Sequence, residues 1–230
     1  MQDSDLQITR QSATLRGQVE DKIRQAISAG HFKPGQRLIE RELCETLGVG
    51  RTSIREALRQ LEAEGLITVV PHRGPIVSTM SYDEAVQLYA LRALLEGYAG
   101  QKCAELATPE LKIKLDAAVV DFARVAQSED RNALVGAKEA FYELLLKGSG
   151  NVFVSQALTS LHNRINMLRY TSMTQPGRLK HSIREIKEIA AAIRAGDGER
   201  AGAACRNHIE KAAAAALASL RKDAQAQLVE

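Results

Sequence analysis

Apolar side chains at Leu15, Val19, Ile23, Ala26 and Ile27 recur at helical spacing, with polar residues between them. Gly30 stops that helix, and Pro34-Gly35 marks a turn. A short helix from about residue 39 carries Leu43 and Leu47 inward, and Gly48-Val49-Gly50 breaks it. A second begins near Thr52, buries Ile54, Leu58 and Leu61, and meets Gly65 at its C-terminus. Leu66-Ile67-Thr68-Val69-Val70 then reads as a strand, His72-Arg73-Gly74 as a turn, and Pro75-Ile76-Val77 as the returning strand. Helix, turn, helix and hairpin predict a winged helix-turn-helix.

Beyond Ser78 the pattern changes. Residues 81–222 carry almost no strand signal and are rich in Ala, Leu, Glu, Lys and Arg. Ser81 and Glu84 form a capping-box pattern, and Thr108-Pro109 sets a cap before a proline at the first helical position. The breaks at residues 148–151, 175–177 and 196–198 divide the rest. They predict six helices near 82–106, 109–127, 131–147, 152–173, 179–195 and 198–222. The fold class is therefore mostly α: an N-terminal winged helix-turn-helix with a small β-hairpin wing, then a C-terminal antiparallel helical bundle. The expected boundaries are a flexible arm over 1–13, the DNA-binding domain over 14–79 and the all-α domain over 80–225.

Composition narrows the setting. The 230 residues are 45% hydrophobic and 26% charged, the profile of an ordinary globular protein. No apolar run reaches the roughly 20 residues of a membrane span, so no membrane partner is expected. The acidic opening, Met1-Gln2-Asp3-Ser4-Asp5, does not serve as a secretory signal. Cys44, Cys103 and Cys205 are scattered and odd in number, which argues for a reducing compartment and a cytoplasmic location. The net charge of +3 is weak, and residues 1–80 hold eleven Lys/Arg against ten Asp/Glu. Bulk charge does not mark a nucleic-acid binder; only the placement of the arginines can.

That placement is informative. At 100° per residue, Arg51, Thr52, Arg55 and Arg59 share one edge of the second helix, away from its core stripe. A recognition helix presents its N-terminal end to the major groove, where an arginine fork matches guanine O6 and N7. The hydroxyls of Thr52 and Ser53, with the N–H groups of the helix start, suit phosphates. Arg41 reaches toward backbone or base, and His72, Arg73 and Gly74 form a wing tip for the minor groove. The alternative is a solvated helix face with salt bridges to Glu56 and Glu62.

The run Lys33-Pro34-Gly35-Gln36-Arg37-Leu38, then Glu42-Leu43, Leu47 through Glu62, Glu64-Gly65-Leu66-Ile67 and Arg73-Gly74, resembles the GntR family of bacterial transcription regulators. The resemblance spans residues 15–80. It implies that Arg41, Arg51, Thr52, Ser53, Arg55 and the wing contact DNA. Gly50 departs from the pattern, since many members carry a hydroxyl residue there.

Residues 82–215 resemble, more loosely, the all-α effector domain of the FadR branch. The matching pieces are Arg92-x-x-Leu95-Glu96, Phe141 with Ser149-Gly150-Asn151, Arg178 seven residues before Glu185, Ile193-x-x-Gly196-Asp197 and His208-Ile209. That resemblance implies a homodimer that binds a small organic acid, and in many members a divalent metal held by one Asp and three His. Here the Asp position holds Lys138, and two His positions hold Tyr142 and Ile186; only His208 remains. An ammonium and an isoleucine cannot ligate, so neither a metal nor any other cofactor is expected.

Lys138, Phe141, Tyr142 and Leu145 lie on one helical stripe, Ile186 in another, and His208 shares a face with Cys205 and Ala212. A lysine on an apolar face needs a partner. Lys138, Tyr142 and His208, with Arg92 and Arg169, are therefore the candidate anion pocket. The alternatives are a carboxylate partner or outward snorkelling for Lys138, an i+4 pair with Glu96 for Arg92, and a core role for His208.

The expected function is a repressor. It binds a palindromic double-stranded DNA operator as a homodimer and responds to a small anionic metabolite without a metal. The alternatives are a constitutive DNA-binding dimer with no effector and an enzyme tethered to a DNA-binding module. The enzyme finds no support in a Gly-rich phosphate loop, a His-Glu-x-x-His run or a nucleotide fingerprint, and no catalytic residue is assigned.

Overall fold

The computed structural model describes residues 11–28, 30–128, 130–173 and 175–227; the side chains of some of these, Arg169 among them, lie outside the description. The chain divides into two compact units between Thr79 and Met80.

The first unit contains α1 (Gln11–Ser28), α2 (Glu40–Leu47), α3 (Arg51–Ala63), β1 (Ile67–Val70) and β2 (Gly74–Val77). Its core joins Val19 and Ile23 of α1 to Leu43 of α2, Ile54, Leu58 and Leu61 of α3, and Ile67 and Val77 of the hairpin. The helix α1 starts at Gln11, so residues 11–13, expected in the arm, are helical. Gln11-Ser12-Ala13 contain no breaker, and each added residue gains a hydrogen bond without a new nucleus. Residues 1–10 of that arm lie outside the described residues.

Gly65 ends α3 in the left-handed conformation at φ +75°. Its N–H donates to the carbonyl of Glu62, and Leu66 N–H donates to that of Leu61 at 2.9 Å. This double bond pattern needs a residue at positive φ, which glycine adopts without cost. The chain then enters β1 directly. The strands pair antiparallel with Ile67 opposite Val77 and Val70 opposite Gly74. The other edge of β2 is covered too: Arg37 bridges Ile76, and Leu38 N–H donates to the carbonyl of Pro75. The wing therefore has a third short rung, in a segment that reads as loop because Pro34-Gly35 dominates it.

The second unit contains α4 (Tyr82–Leu106), α5 (Pro109–Val125), α6 (Arg131–Gly148), α7 (Val152–Ser160), α8 (His162–Met173), α9 (Arg178–Ala195) and α10 (Gly198–Gln227). The capping box at the start of α4 is complete, Ser81 and Glu84 each satisfying the other's backbone N–H. Thr108 caps α5. The single helix expected over 152–173 is two helices. Leu161, at φ −100° and ψ 2°, interrupts it, and Ser160 Oγ donates to the carbonyl of Ala157 at 2.8 Å. A hydroxyl competing for a helix carbonyl weakens the turn where it sits, and no Gly or Pro announces it.

The core of this unit is one cluster running from Ala85 to Ala216. Its most extensive helix contact sets α4 against α10. A Cβ at Gly100 would lie 2.4 Å from Sγ of Cys205, and one at Gly148 would lie 2.4 Å from Sγ of Cys103. The two buried thiols fill notches that only glycine leaves open. Gly100→Ala is expected to destabilise the second unit by about 1–3 kcal/mol through overpacking, as a lowered melting temperature by circular dichroism. An unchanged melting temperature would mean that the crossing is looser than these contacts imply.

Candidate nucleic-acid interface and buried charged cluster

The helix α3 exposes Arg51, Thr52, Arg55 and Arg59 while Ile54, Ala57, Leu58 and Leu61 are buried. Gly50 is its N-cap and supplies no side-chain hydrogen bond. The N–H groups of the first turn thus have no side-chain cap, the condition that suits an incoming phosphate. Ser53 is half-buried. Arg55 does not pair with Glu56 or Glu62, the partners expected for a solvated face. Its Nε donates to both oxygens of Glu40, at 2.9 and 3.1 Å, so α2 holds it in place. Glu62 instead accepts from Val69 N–H at 3.3 Å and ties α3 to the wing.

Arg41 is exposed and lies 3.9 Å from Glu45. Together with Arg51 it lines a cavity of about 320 Å³, to which Arg37 and Glu40 also contribute. Arg37 is not among the DNA-contacting residues expected from the sequence. Its bridge to Ile76 is what fixes it there, and nothing in its local pattern signals that pairing. At the wing tip His72 and Arg73 are exposed, and Gly74 has φ +82°. His72 has φ +63°, a conformation that side chains beyond Cβ seldom adopt.

In the second unit, α4, α6, α9 and α10 bring charge into the interior. Arg92, Glu96, Lys138, Arg178, Glu185 and His208 are all buried, Lys138 at 1% exposure. Lys138 does not snorkel outward: its Nζ donates to Ser182 Oγ at 3.2 Å, across from α6 to α9. Glu185 is the hub. Its Oε2 accepts from Nη2 of Arg178 at 2.8 Å and from Nδ1 of His208 at 2.5 Å. Arg178 Nη2 also donates to the carbonyl of His208 at 3.4 Å.

The ring of Tyr142 lies 6.5 Å from that of His208 and meets Phe141 edge-on. Arg92 donates to Glu96 at 2.8 Å, stacks its guanidinium 5.2 Å over the Tyr89 ring and feels the Tyr142 hydroxyl electrostatically. The i+4 pair, the alternative reading for Arg92, is thus present.

Burial, with the neighbouring Lys138 ammonium, pushes the His208 pKa down to about 3 against the opposing pull of Glu185. Burial raises the Glu185 carboxyl, but His208 and Arg178 outweigh it and hold the group below its ordinary range. His208 is therefore neutral, with its proton on Nδ1 toward Glu185. Its Nε2 then faces the interior as an acceptor and has no protein partner. Arg92 Nη1, Glu96 Oε2, and Nε and Nη1 of Arg178 are likewise buried without a hydrogen bond.

Arg92, Lys138, Tyr142 and His208 are buried near one another, and the side chain of Arg169 lies outside the described residues. Sequence reasoning did not assign Arg178, Ser182 and Glu185 to the site. Arg178 and Glu185 are seven residues apart on one face of α9, and that spacing was the available signal.

The donor set does not fit a metal. Lys138 carries no lone pair while protonated, Ile186 has no donor atom, and Nδ1 of His208 is committed to Glu185. Among the described residues no group of three His, Cys, Asp or Glu side chains is placed to hold one. No described helix is long and apolar enough to cross a membrane.

Comparison with known proteins agrees with this division. Residues 15–77 match the family model of bacterial regulatory proteins, gntR family, and residues 87–211 match the FCD domain. The chain is 32% identical over 205 residues to an HTH-type transcriptional regulator in an unstable DNA locus of Streptomyces ambofaciens. That alignment covers 85% of this chain and 82% of the relative. It is 28% identical over 200 residues to a Paenarthrobacter nicotinovorans protein named "Probable D-xylose utilization operon transcriptional repressor", covering 85% and 86%. A solved GntR structure from Rhodococcus sp. RHA1 superposes with a TM-score of 0.77 at 26% identity, over 89% of this chain and 98% of that one. The matching families and relatives are transcriptional regulators, not enzymes. The chain therefore belongs to the gntR family of bacterial transcription regulators, with a winged helix-turn-helix unit followed by an FCD domain.

Proposed function

We propose that this protein is a cytoplasmic, FadR-branch repressor. It reads a palindromic operator as a homodimer and is released by a small anionic metabolite bound, without a metal, in the FCD domain. The observation that carries the effector is the burial of Lys138 beside Arg178 and His208 inside the bundle. Charge-assisted hydrogen bonds from buried cations are strong, and a small anion offers acceptors for them. The repressing sign follows the D-xylose operon relative. DNA contact falls to Arg41, Arg51, Thr52, Ser53, Arg55, His72, Arg73 and Gly74, supported by the exposure of all but the half-buried Ser53 and Gly74 around the start of α3 and the wing. It is not an enzyme.

Two variants separate the halves of this reading. Arg51→Ala is expected to weaken binding to a duplex selected from a random library by about 1–3 kcal/mol, measured by fluorescence anisotropy. Lys138→Ala is expected to leave that affinity unchanged while the protein no longer releases the duplex when small carboxylates are added. Full release by Lys138→Ala would sink the anion pocket, and unaltered affinity in Arg51→Ala would sink the recognition edge.

The homodimer is supported by an apolar surface. Leu91, Leu94 and Tyr98 are exposed along one face of α4, with Leu94 at 68%. Tyr98 Oη accepts from Asn151 Nδ2, next to exposed Val152 and Phe153. An apolar stripe of this kind marks an interaction site on a water-soluble helix. Leu94→Glu is expected to shift the protein from dimer to monomer by light scattering, and to lower operator affinity with it. A dimer of unchanged mass would place the interface elsewhere.

The buried cluster also has a pH signature. His208 is faced by Lys138 and Tyr142 from α6 and by Arg178 and Glu185 from α9, with Lys211 on its own helix 3.8 Å from Glu185. Its pKa falls from 6.5 in the unfolded chain to about 3 in the fold. The unfolded state then binds more protons between those values, so stability is full above pH 6.5 and falls as pH drops. The lowered Glu185 carboxyl acts in the same direction at lower pH. The loss approaches about 1.4 kcal/mol per pH unit below 6.5. Denaturant titrations between pH 7.5 and 5 are expected to show it in the native protein and a shallower slope in His208→Phe. Equal slopes would mean that His208 titrates normally.

A further inference from the structure

One outward face of the second unit is used by neither the buried cluster nor the apolar stripe of α4. It lies on α5. Leu115, Val119, Phe122 and Val125 of that helix are buried. At 100° per residue, Ile113, Ala117 and Val120 fall on the opposite side, within a sector of roughly 60°. All three are exposed, Ile113 and Val120 at 69% each. A lone exposed apolar residue needs no explanation, but a stripe of them bordered by charges marks a contact surface.

The bordering charges identify what covers it. They are arranged symmetrically about Ala117. Glu110 lies seven residues before it and Arg124 seven after; Lys114 lies three before and Asp121 four after; Ile113 lies four before and Val120 three after. All four charged side chains are exposed. A second α5, antiparallel and related by a two-fold axis through Ala117, therefore sets Ile113 against Val120, Lys114 against Asp121 and Glu110 against Arg124, each pair twice. The small alanine sits where the two helices come closest. A parallel pair would oppose Glu110 to Glu110 and Lys114 to Lys114, and like charges face to face disfavour association. A stripe that complements itself in this way fits a copy of itself, and a partner of different sequence gives no reason for the symmetry.

The charges are available to a second copy. Lys114 makes no ion pair among the described residues. Arg124 donates to Asp121 from Nε at 3.1 Å and from Nη2 at 2.5 Å, but both bonds use Oδ1, so Oδ2 is left for a lysine. Glu110 accepts from its own N–H and from Thr108, which orders the carboxylate without neutralising it.

We propose that α5 docks on α5 of a second copy in an antiparallel two-fold contact, separate from the α4 stripe, that joins copies into assemblies larger than a dimer. Three apolar residues a side fall short of the roughly 800 Å² per partner of a stable interface, so the contact is weak in dilute solution. It acts where copies are held near one another, as on neighbouring sites of one DNA, because the effective concentration there is high. The contact does not depend on the repressor reading or on any effector.

The test is sedimentation velocity of the full-length protein from low to high micromolar concentration. Species larger than the dimer are expected to grow in with concentration. Val120→Glu is expected to raise the dissociation constant of that step about tenfold or more, with the dimer and the circular dichroism spectrum unchanged. Lys114→Asp is expected to weaken the step severalfold, and Lys114→Asp combined with Asp121→Lys to restore it, because exchanging the two charges preserves a pair made across the two-fold. Leu94→Glu is expected to retain the step at high concentration, now as monomer to dimer, so the α4 and α5 faces are read separately. Wild-type protein of one mass across the whole range would overturn the α5 contact. So would larger species that persist in Val120→Glu, an unaffected Lys114→Asp, or a double variant that associates no better than Lys114→Asp alone.

Discussion

Glu185 is the constraint on which the helical unit is arranged. One of its oxygens takes both Arg178 and Nδ1 of His208, so a single carboxylate orients a cation on its own helix and an imidazole on another. Removing it would leave Arg178 buried with no carboxylate partner among these contacts and would free the imidazole to change tautomer. Removing one partner of a buried pair typically costs about 3–5 kcal/mol, because the other charge remains without compensation. The surrounding apolar cluster closes around this polar interior and sets its low dielectric. The same burial that makes the interior costly keeps His208 neutral and fixes which nitrogen is left bare.

The first unit uses charge in the opposite way. Glu40 holds Arg55 at 59% exposure, where the pair contributes little to stability because water screens it. Its consequence is positional: a long side chain is held over the recognition helix before any DNA arrives, so less rotamer entropy is lost on contact. Arg37 is placed by backbone pairing with the wing instead, which leaves its guanidinium beside Arg41 and Arg51 around one concavity.

What could be read from the chain follows from which interactions are local. Periodicity and caps located α4, with Ser81 and Glu84 closing its start, and the glycine at 65 located the end of α3. The break at Leu161 was hidden because a serine hydroxyl, not a glycine or proline, weakens the helix there. The third rung at Arg37 was hidden because its partner lies far along the chain. The same division runs through the buried cluster. Lys138 stood out because a lysine on an apolar stripe contradicts its own surroundings. Arg178 and Glu185 pair with each other on one helix and so stand out less. Only the arrival of His208 from α10 shows that their pairing faces inward.

A lysine in place of a metal changes what the proposed pocket can distinguish. A divalent ion carries two charges and directs several ligand atoms at fixed angles, so it favours chelating groups. An ammonium carries one charge, donates three hydrogen bonds and sets no coordination geometry. Selectivity must then come from the fixed groups around it, and here those are Arg178, the Arg92–Glu96 pair and the lone pair of His208. An effector can shift the protein between two states only by the difference in its affinity for them. In the proposed anion pocket that difference lies in how each state presents Lys138, Arg178 and the imidazole that Glu185 orients.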